Sequence, residues 1–283
     1  MKRRSCLCCI AVLSSSLSWT SAFGGEDEEL VKAWLAISSQ MAQSFVITPA
    51  EAPARPFSRL EQPVFRHVQP ARGNDIGAVW LWVDGDQRPA VIGDIFAWSI
   101  NNAPVRTVTQ EFQSLASVPL TAQFEGTEVW TPKQAGLGWT MIAKAPAPAD
   151  TRLERQRQAR ELTQRFAANS VDHRQGRWEL RVVPKAVHQY EIEPPRETHC
   201  GALFAVCQGT DPELWLALET RKTPDGYRWH YALASFTDYS LRVRLDDVEV
   251  WSCPQYRHGV TDEPHWVESA ARQLALDQAP IPD

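Results

Sequence analysis

The chain has 283 residues, 43% of them hydrophobic and 22% charged, with a formal net charge of -5. That hydrophobic share excludes a disordered polypeptide, and the acidic balance disfavours a nucleic-acid partner. The length suits one large domain or two small ones, each able to bury a core.

The chain opens MKRRSCLCCIAVLSSSLSWTSAFGG. Lys2, Arg3 and Arg4 precede a short apolar run, and small residues Thr20 and Ala22 follow, which is the pattern of a secretory signal peptide over residues 1–22. The run is interrupted by serines and is shorter than the ~20 apolar residues of a spanning helix. The expected mature protein is therefore exported, periplasmic or extracellular, with no integral membrane segment and a net charge of -8 once those three cations leave. Cys6, Cys8 and Cys9 leave with the leader, none in a lipobox-like context. Cys200, Cys207 and Cys253 stay, an odd number that permits at most one disulfide. On one extended strand Cys200 and Cys207 would stand ~20 Å apart, so any bridge must use Cys253.

Residues 23–59 hold an amphipathic helix and a linker. In EDEELVKAWLAISSQMAQSFV an acidic first turn precedes a stripe of Leu30, Trp34, Ile37, Met41 and Phe45. TPAEAPARPFSR then reads as extended and Pro-rich. Over 60–142 the pattern changes to short apolar runs split by turn signals: PVFRHV, IGAVWLWVDG, PAVIGDIFAW, VRTVTQEFQ and LTAQFEGTEVW. Residues 143–183 bring a second linker, KAPAPAD, and a helix, TRLERQRQARELTQRF, opened by a Thr151/Glu154 capping box and striped by Ala159, Leu162 and Phe166. Strands resume over 184–256 as AVHQYEI, GALFAVCQG, ELWLALETR, RWHYALASF and LRVRLDDVEVW. In 257–283 the stretch DEPHWVESAARQLALDQ predicts a short third helix, with Pro264 in its first turn and Val267, Ala270, Ala271 and Leu274 as its stripe.

The tripeptide EVW occurs twice, at Glu128–Trp130 and Glu249–Trp251. At a constant offset of 124 positions Pro70 meets Pro194, Gly77 meets Gly201, Ala78 meets Ala202, Gly85 meets Gly209 and Phe112 meets Phe236. After a turn shortened by three residues the offset is 121, and Leu120 meets Leu241 and EVW meets EVW. The common order of strands and turns predicts an internal duplication. Gly85 and Gly209 are expected in hairpin turns at positive φ, Gly77 and Gly201 where a ring or backbone approaches closely, and Trp130 and Trp251 sealing each unit. The expected fold class is α+β, β-dominated: two tandem antiparallel β-meander repeats packed as one sandwich or barrel-like body with flanking helices.

Motifs for chemistry are scarce. Beyond the expected leader there is no Gly-rich phosphate loop, G-x-S-x-G elbow, H-E-x-x-H or CxxC. Asp84-Gly85-Asp86 reads as a hairpin turn rather than a Ca²⁺ loop. His199 and Cys200 are adjacent, so on a strand they point to opposite faces and cannot form a nucleophile pair. Cys253, His258, Asp262 and His265 carry metal-ligand chemistry at a spacing that matches no common site, and no metal or cofactor is expected. His188 and His230 fall within strands as ordinary polar partners, and five arginines between Arg152 and Arg165 read as a solvated helix face. Tryptophan is the outlier, with 12 in the chain. Most serve a core; Trp80, Trp82, Trp215 and Trp229 are the candidate ligand contacts.

At GALFAVCQGTDPELWLALETR, at DGYRWHYALASFTD and at VWLWVDGDQRPAVIGDIFAW, the chain resembles a group of exported bacterial proteins to which no activity is attached. The shared turn is GTDPE, Gly209 to Glu213 here. Cys200 stands where the group has an acidic or small residue, which argues against a nucleophile. The resemblance implies no catalytic residue, cofactor or fold. The function expected is non-catalytic binding of an envelope ligand or protein in a groove between the two β-repeats. The alternatives are an envelope or extracellular hydrolase using carboxylates or a histidine in that groove, and a structural envelope module.

Overall fold

The computed structural model describes residues 25–69, 75–99, 105–172, 176–193 and 196–275; the expected leader lies outside them, as do Pro70 and Pro194. In chain order the first half comprises helix α1 (Gly25–Gln43) and strands β1 (Phe45–Pro49), β2 (Ser58–Arg59), β3 (Phe65–Gln69), β4 (Asp75–Val83), β5 (Pro89–Trp98), β6 (Val105–Ser114), β7 (Leu120–Phe124) and β8 (Thr127–Trp130). After the short β9 (Thr140–Met141) come helix α2 (Arg152–Thr163) and strands β10 (Phe166–Asp172), β11 (Gly176–Val182), β12 (His188–Glu191), β13 (Thr198–Gln208), β14 (Asp211–Thr223), β15 (Gly226–Ser235), β16 (Ser240–Leu245) and β17 (Val248–Cys253). Strand β18 (His265–Ala275) follows. The architecture is α+β and β-dominated, as expected.

The apolar runs of β4 and β13 have both faces buried, because each is a central strand of a covered sheet. In one sheet β18, β6, β5, β4 and β2 follow in order, with β3 also on β4. In the other, β13, β14 and β15 form the corresponding meander, with β12 on β13. The two meanders pack face to face through Val79, Leu81, Val83 and Ile92 against Leu203, Ala205, Trp215 and Ala217. The outer face of the first meander carries a core of Trp80, Trp82, Val91 and Phe112, closed by Trp34 and Met41 of α1 and by the β1–β7–β8 sheet. The outer face of the second is closed by Ala159 and Leu162 of α2 and by β10 and β16.

The two halves share several pairings. β1 pairs with β7, and β10 with β16, in the same register at an offset of 121. Both EVW segments are hairpins with a bulge at the matching place, between Ala122 and Gln123 and between Val243 and Arg244. Each turns through two residues at positive φ, Glu125-Gly126 (49° and 81°) and Asp246-Asp247 (49° and 66°), a combination that follows the strand twist. Trp130 is fully buried and donates from Nε1 to the carbonyl of Glu263 at 2.8 Å, whereas Trp251 is half-buried at the edge of its core.

Several expectations need correction. Residues 265–275 are a strand, not a helix: β6 would otherwise be an edge, and β18 pairs along it from His265 opposite Gln113 to Ala275 opposite Val105, through a bulge. Trp266 thereby stacks on Trp130 at 6.3 Å, a tertiary reward that outweighs local helix preference. The first helix ends at Gln43 and Phe45 begins β1, while the second ends before Phe166, which begins β10. The β10–β11 hairpin was not foreseen, nor was each EVW run as a hairpin. In the Asp84–Arg88 turn the positive φ falls on Gln87, at 63°, because Asp84 Oδ1 accepts from the amides of Asp86 and Arg88; Gly209 does take φ 60°. Phe112 faces the outer core and Phe236 the inter-sheet core, so they are not equivalents. The shortened turn is Pro224-Asp225, between β14 and β15, ahead of Phe236.

Candidate functional site

Each half builds the same local device on its inter-sheet face. Gly77 on β4 lies opposite His67 on β3, and Gly201 on β13 lies opposite Tyr190 on β12. A Cβ at either glycine would strike that ring, so glycine is what lets the ring lie flat on the strand. Each ring then meets a buried acid from the next strand of its meander. His67 Nε2 bonds Asp94 Oδ2 at 2.6 Å, and the hydroxyl of Tyr190 donates to Glu219. Glu219 stands directly opposite Gly201, whereas Asp94 stands two residues along from the place opposite Gly77, facing Val79.

The meanders run so that the hairpin turn of each reaches the ring and acid of the other. The Asp84–Arg88 turn reaches β12, where His188 Nε2 lies 2.8 Å from the carbonyl of Gln87. From it Arg88 donates to Glu219 Oε1 through Nε at 3.0 Å and Nη2 at 2.9 Å. Thr198 at 3.1 Å and Arg221 at 2.8 Å complete that carboxylate's shell. The reciprocal turn reaches β3, where Thr210 donates to the carbonyl of Val68 at 2.7 Å and Gln69 to that of Gln208 at 3.3 Å. Its residue facing the His67–Asp94 pair is Asp211, another acid.

Around that second device lies a cavity of about 250 Å³. Asp75, Asp94 and Glu111 line it from the first sheet, Asp211 and Asp238 from the second, and Phe96, Trp98 and Phe236 supply apolar wall. Burial opposes a charge on His67, but Asp94, then Asp211 and Asp75, outweigh it and lift its pKa to about 10. Burial pushes the carboxyl of Glu111 well above the usual range, and Asp238, Asp211, Asp94 and Glu213 add to the shift. His265, 2.8 Å from Glu111, is driven down to about 3 by burial and by His258. Glu111 and His265 thus form a neutral pair beside the charged one. Asp94 is 3% exposed, yet its Oδ1 has no hydrogen-bond partner, and neither does Asp238 Oδ1. A smaller cavity of about 100 Å³ adjoins Arg88, Tyr190 and Glu219 at the other end of the inter-sheet space, beside Trp139.

The four tryptophans named from sequence are elsewhere. Trp80, Trp82, Trp215 and Trp229 are at most 2% exposed and distributed over three cores, so they do not form one aromatic groove. Each alternates into a covered sheet, where an indole fills volume. Arg59 lies over Trp80 at 4.7 Å, and Trp229 lines only a void of about 20 Å³ under α2. The aromatic residues that do line the acidic cavity include Phe96 and Trp98, which sit at the end of β5 and are half-buried.

Other motifs resolve into structural partners. His199 bonds the carbonyl of Ile192 and Cys200 bonds Thr220, on opposite faces. The three cysteines among the described residues are free thiols, and burial raises each of their pKa values, that of Cys207 to about 12. Cys253, His258, Asp262 and His265 take separate partners: His258 pairs with Asp238, Asp262 with Lys133 and His265 with Glu111. Among the described residues no group of three His, Cys, Asp or Glu is placed to hold a metal ion. The arginines of α2 divide, since Arg155 is buried and bidentate on Glu191 at 3.0 Å while Arg157 meets Glu161 on the surface. His230 bonds the carbonyl of Arg228. No described helix is long and apolar enough to cross a membrane.

Sequence reading missed the acids of the cavity. Their signal was present: Asp94 interrupts the apolar run PAVIGDIFAW, and Glu111 sits where VRTVTQEFQ should face a core. A carboxylate on a covered strand needs a partner or a ligand. No family model, curated protein or solved structure matches this chain.

Proposed function

We propose that this protein is a non-catalytic binding protein that holds a small ligand in the acidic cavity between its two sheets, and that it acts outside the cytoplasm. The observation that carries the reading is the cavity itself, about 250 Å³ with aromatic wall and converging polar groups from both sheets. That is the usual make-up of a small-molecule site, near the lower end of the usual size range. The matched pairing of the halves and the paired EVW hairpins support an origin by duplication, after which the two inter-sheet ends diverged.

The test is native mass spectrometry of protein purified from its own cell envelope, set against the denatured mass. A bound mass lost on denaturation, and missing from a Ser269→Trp variant that fills the cavity mouth, is the expected result. A bare native mass in the unaltered protein sinks the reading.

A hydrolase is the second reading, favoured by one observation: a protonated Glu111 near the carboxylate of Asp94. A buried carboxyl held protonated beside a second acid is an arrangement that acid–base hydrolysis uses. Against it, Glu111 is already engaged with His265 at 2.8 Å. Turnover of ester or glycoside substrates that is abolished by Glu111→Gln would establish this reading over the first.

A further inference from the structure

The two ends of the inter-sheet space differ in what the facing turn supplies. At one end a ring lies over a glycine, a buried carboxylate accepts from the ring, and a guanidinium from the facing turn closes the arrangement: Tyr190, Gly201, Glu219 and Arg88. At the other end ring, glycine and carboxylate recur as His67, Gly77 and Asp94, but the facing turn supplies Asp211, and a cavity of about 250 Å³ lies beside it. The molecule therefore contains its own comparison: one copy receives a guanidinium from the facing turn, and the other has only the His67 ring on its carboxylate.

We infer that the acidic cavity takes a ligand bearing a guanidinium or primary ammonium group, seated against Asp94 and Asp238 as Arg88 is seated against Glu219. This specifies the ligand class for the binding reading above and rests on it. Three observations support it independently of the acid count. Asp94 is 3% exposed and lines the cavity with Oδ1 unpartnered, which is the acceptor such a group would use. The half-buried rings of Phe96 and Trp98 line the same space, and aromatic faces attract cations. The cations already nearby have acidic neighbours: His67 is bonded to Asp94, His258 lies 3.1 Å from Asp238, and Arg106 feels the charge of Asp75. No three of the acids converge tightly enough for a metal ion among the described residues, so a larger organic cation with several donors fits the spacing better.

Isothermal titration with three probes of one shape, each acetylated on its α-nitrogen so that only the side chain can carry charge, tests this: arginine amide, lysine amide and citrulline amide, the last of them neutral. Arginine amide and lysine amide should bind at one site per chain and citrulline amide should not. Asp94→Asn should weaken the cations about tenfold or more, the loss of a charge-assisted hydrogen bond. Because that change also strips His67 of its partner, a second variant is needed. Ser269→Arg plants a guanidinium at the cavity mouth, and should abolish binding while raising the melting temperature. Equal binding of citrulline amide overturns the cation inference and leaves the binding reading standing. Absence of binding by all three overturns the inference, and the envelope-purified mass then decides the binding reading alone. Cation binding that survives both variants also overturns it, because the site would lie elsewhere.

Discussion

Arg88 and Glu219 join the two sheets across their shared core, with both Nε and Nη2 of the arginine on one carboxylate oxygen at 3.0 and 2.9 Å. Glu219 is 1% exposed, so the arginine's loss leaves a buried acceptor relying on Tyr190, Thr198 and Arg221. Arg88→Ala should cost about 2 kcal/mol, which for a chain of this size lowers the melting temperature by roughly 4–8 °C. Calorimetry checks it. In a double-mutant cycle with Glu219→Gln the coupling should exceed about 1 kcal/mol, and additive losses would show that the pair does not hold the sheets together.

Glycine at 77 and at 201 makes room for a ring, so Gly77→Ala and Gly201→Ala should each destabilise the fold by about 1–3 kcal/mol through overpacking. Gly85, whose added Cβ would meet nothing within 4 Å, is the control, and Gly85→Ala should change stability by under about 0.5 kcal/mol. Urea titration of the three variants separates close approach from a general glycine requirement.

These residues also show what sequence could and could not give. Close approach at Gly77 and Gly201 followed from glycine inside an apolar strand, and α2 from its Thr151 cap, which accepts from Glu154 N at 3.3 Å. The apolar runs located the meanders because period and burial agree there. What was lost depended on partners distant in the chain. Residues 265–275 carry a pattern that suits either helix or strand, and only the free edge of β6 selects the strand. Asp94, Glu111, Asp211 and Asp238 come from four segments, and their convergence is a property of how the sheets face each other. Tryptophan misled because bulk, which a core uses, looks the same in sequence as a binding platform.

The charged His67 should leave a mark on pH dependence. Its folded pKa, about 10, lies above the ordinary 6.5, so its contribution is fully present below 6.5 and disappears as pH rises toward 10. Across that window stability should fall with a limiting slope of about 1.4 kcal/mol per pH unit. Glu111, raised as well, slopes the same way. The double variant His67→Gln with Asp94→Asn should flatten the fall without removing it. An unchanged slope would mean that His67 is neutral in the folded protein.

Cys200, Cys207 and Cys253 are thiols, and the first two are buried. Iodoacetamide applied to the folded protein without reductant should label Cys253 at most, and after unfolding all three should react. A mass that stays short of three adducts after unfolding would reveal a disulfide instead.

Trp266 is 3% exposed and stacks on Trp130, so Trp266→Ala should cost about 3–5 kcal/mol and release β18 from β6. Hydrogen exchange should then speed up along Val105–Ser114 while β13 and β14 stay protected.

The seating of β18 on β6 also sets a timetable. His265 must reach Glu111 across 154 positions of chain, and the whole second half is made in between. During synthesis the first meander therefore waits with one flank unpaired, an open strand edge of the kind that recruits foreign strands. Such long-range closure is slow. Newly made chains are at greatest risk of clumping in that interval, and a chaperone that shields Val105–Ser114 would be protecting a place held for residues not yet translated.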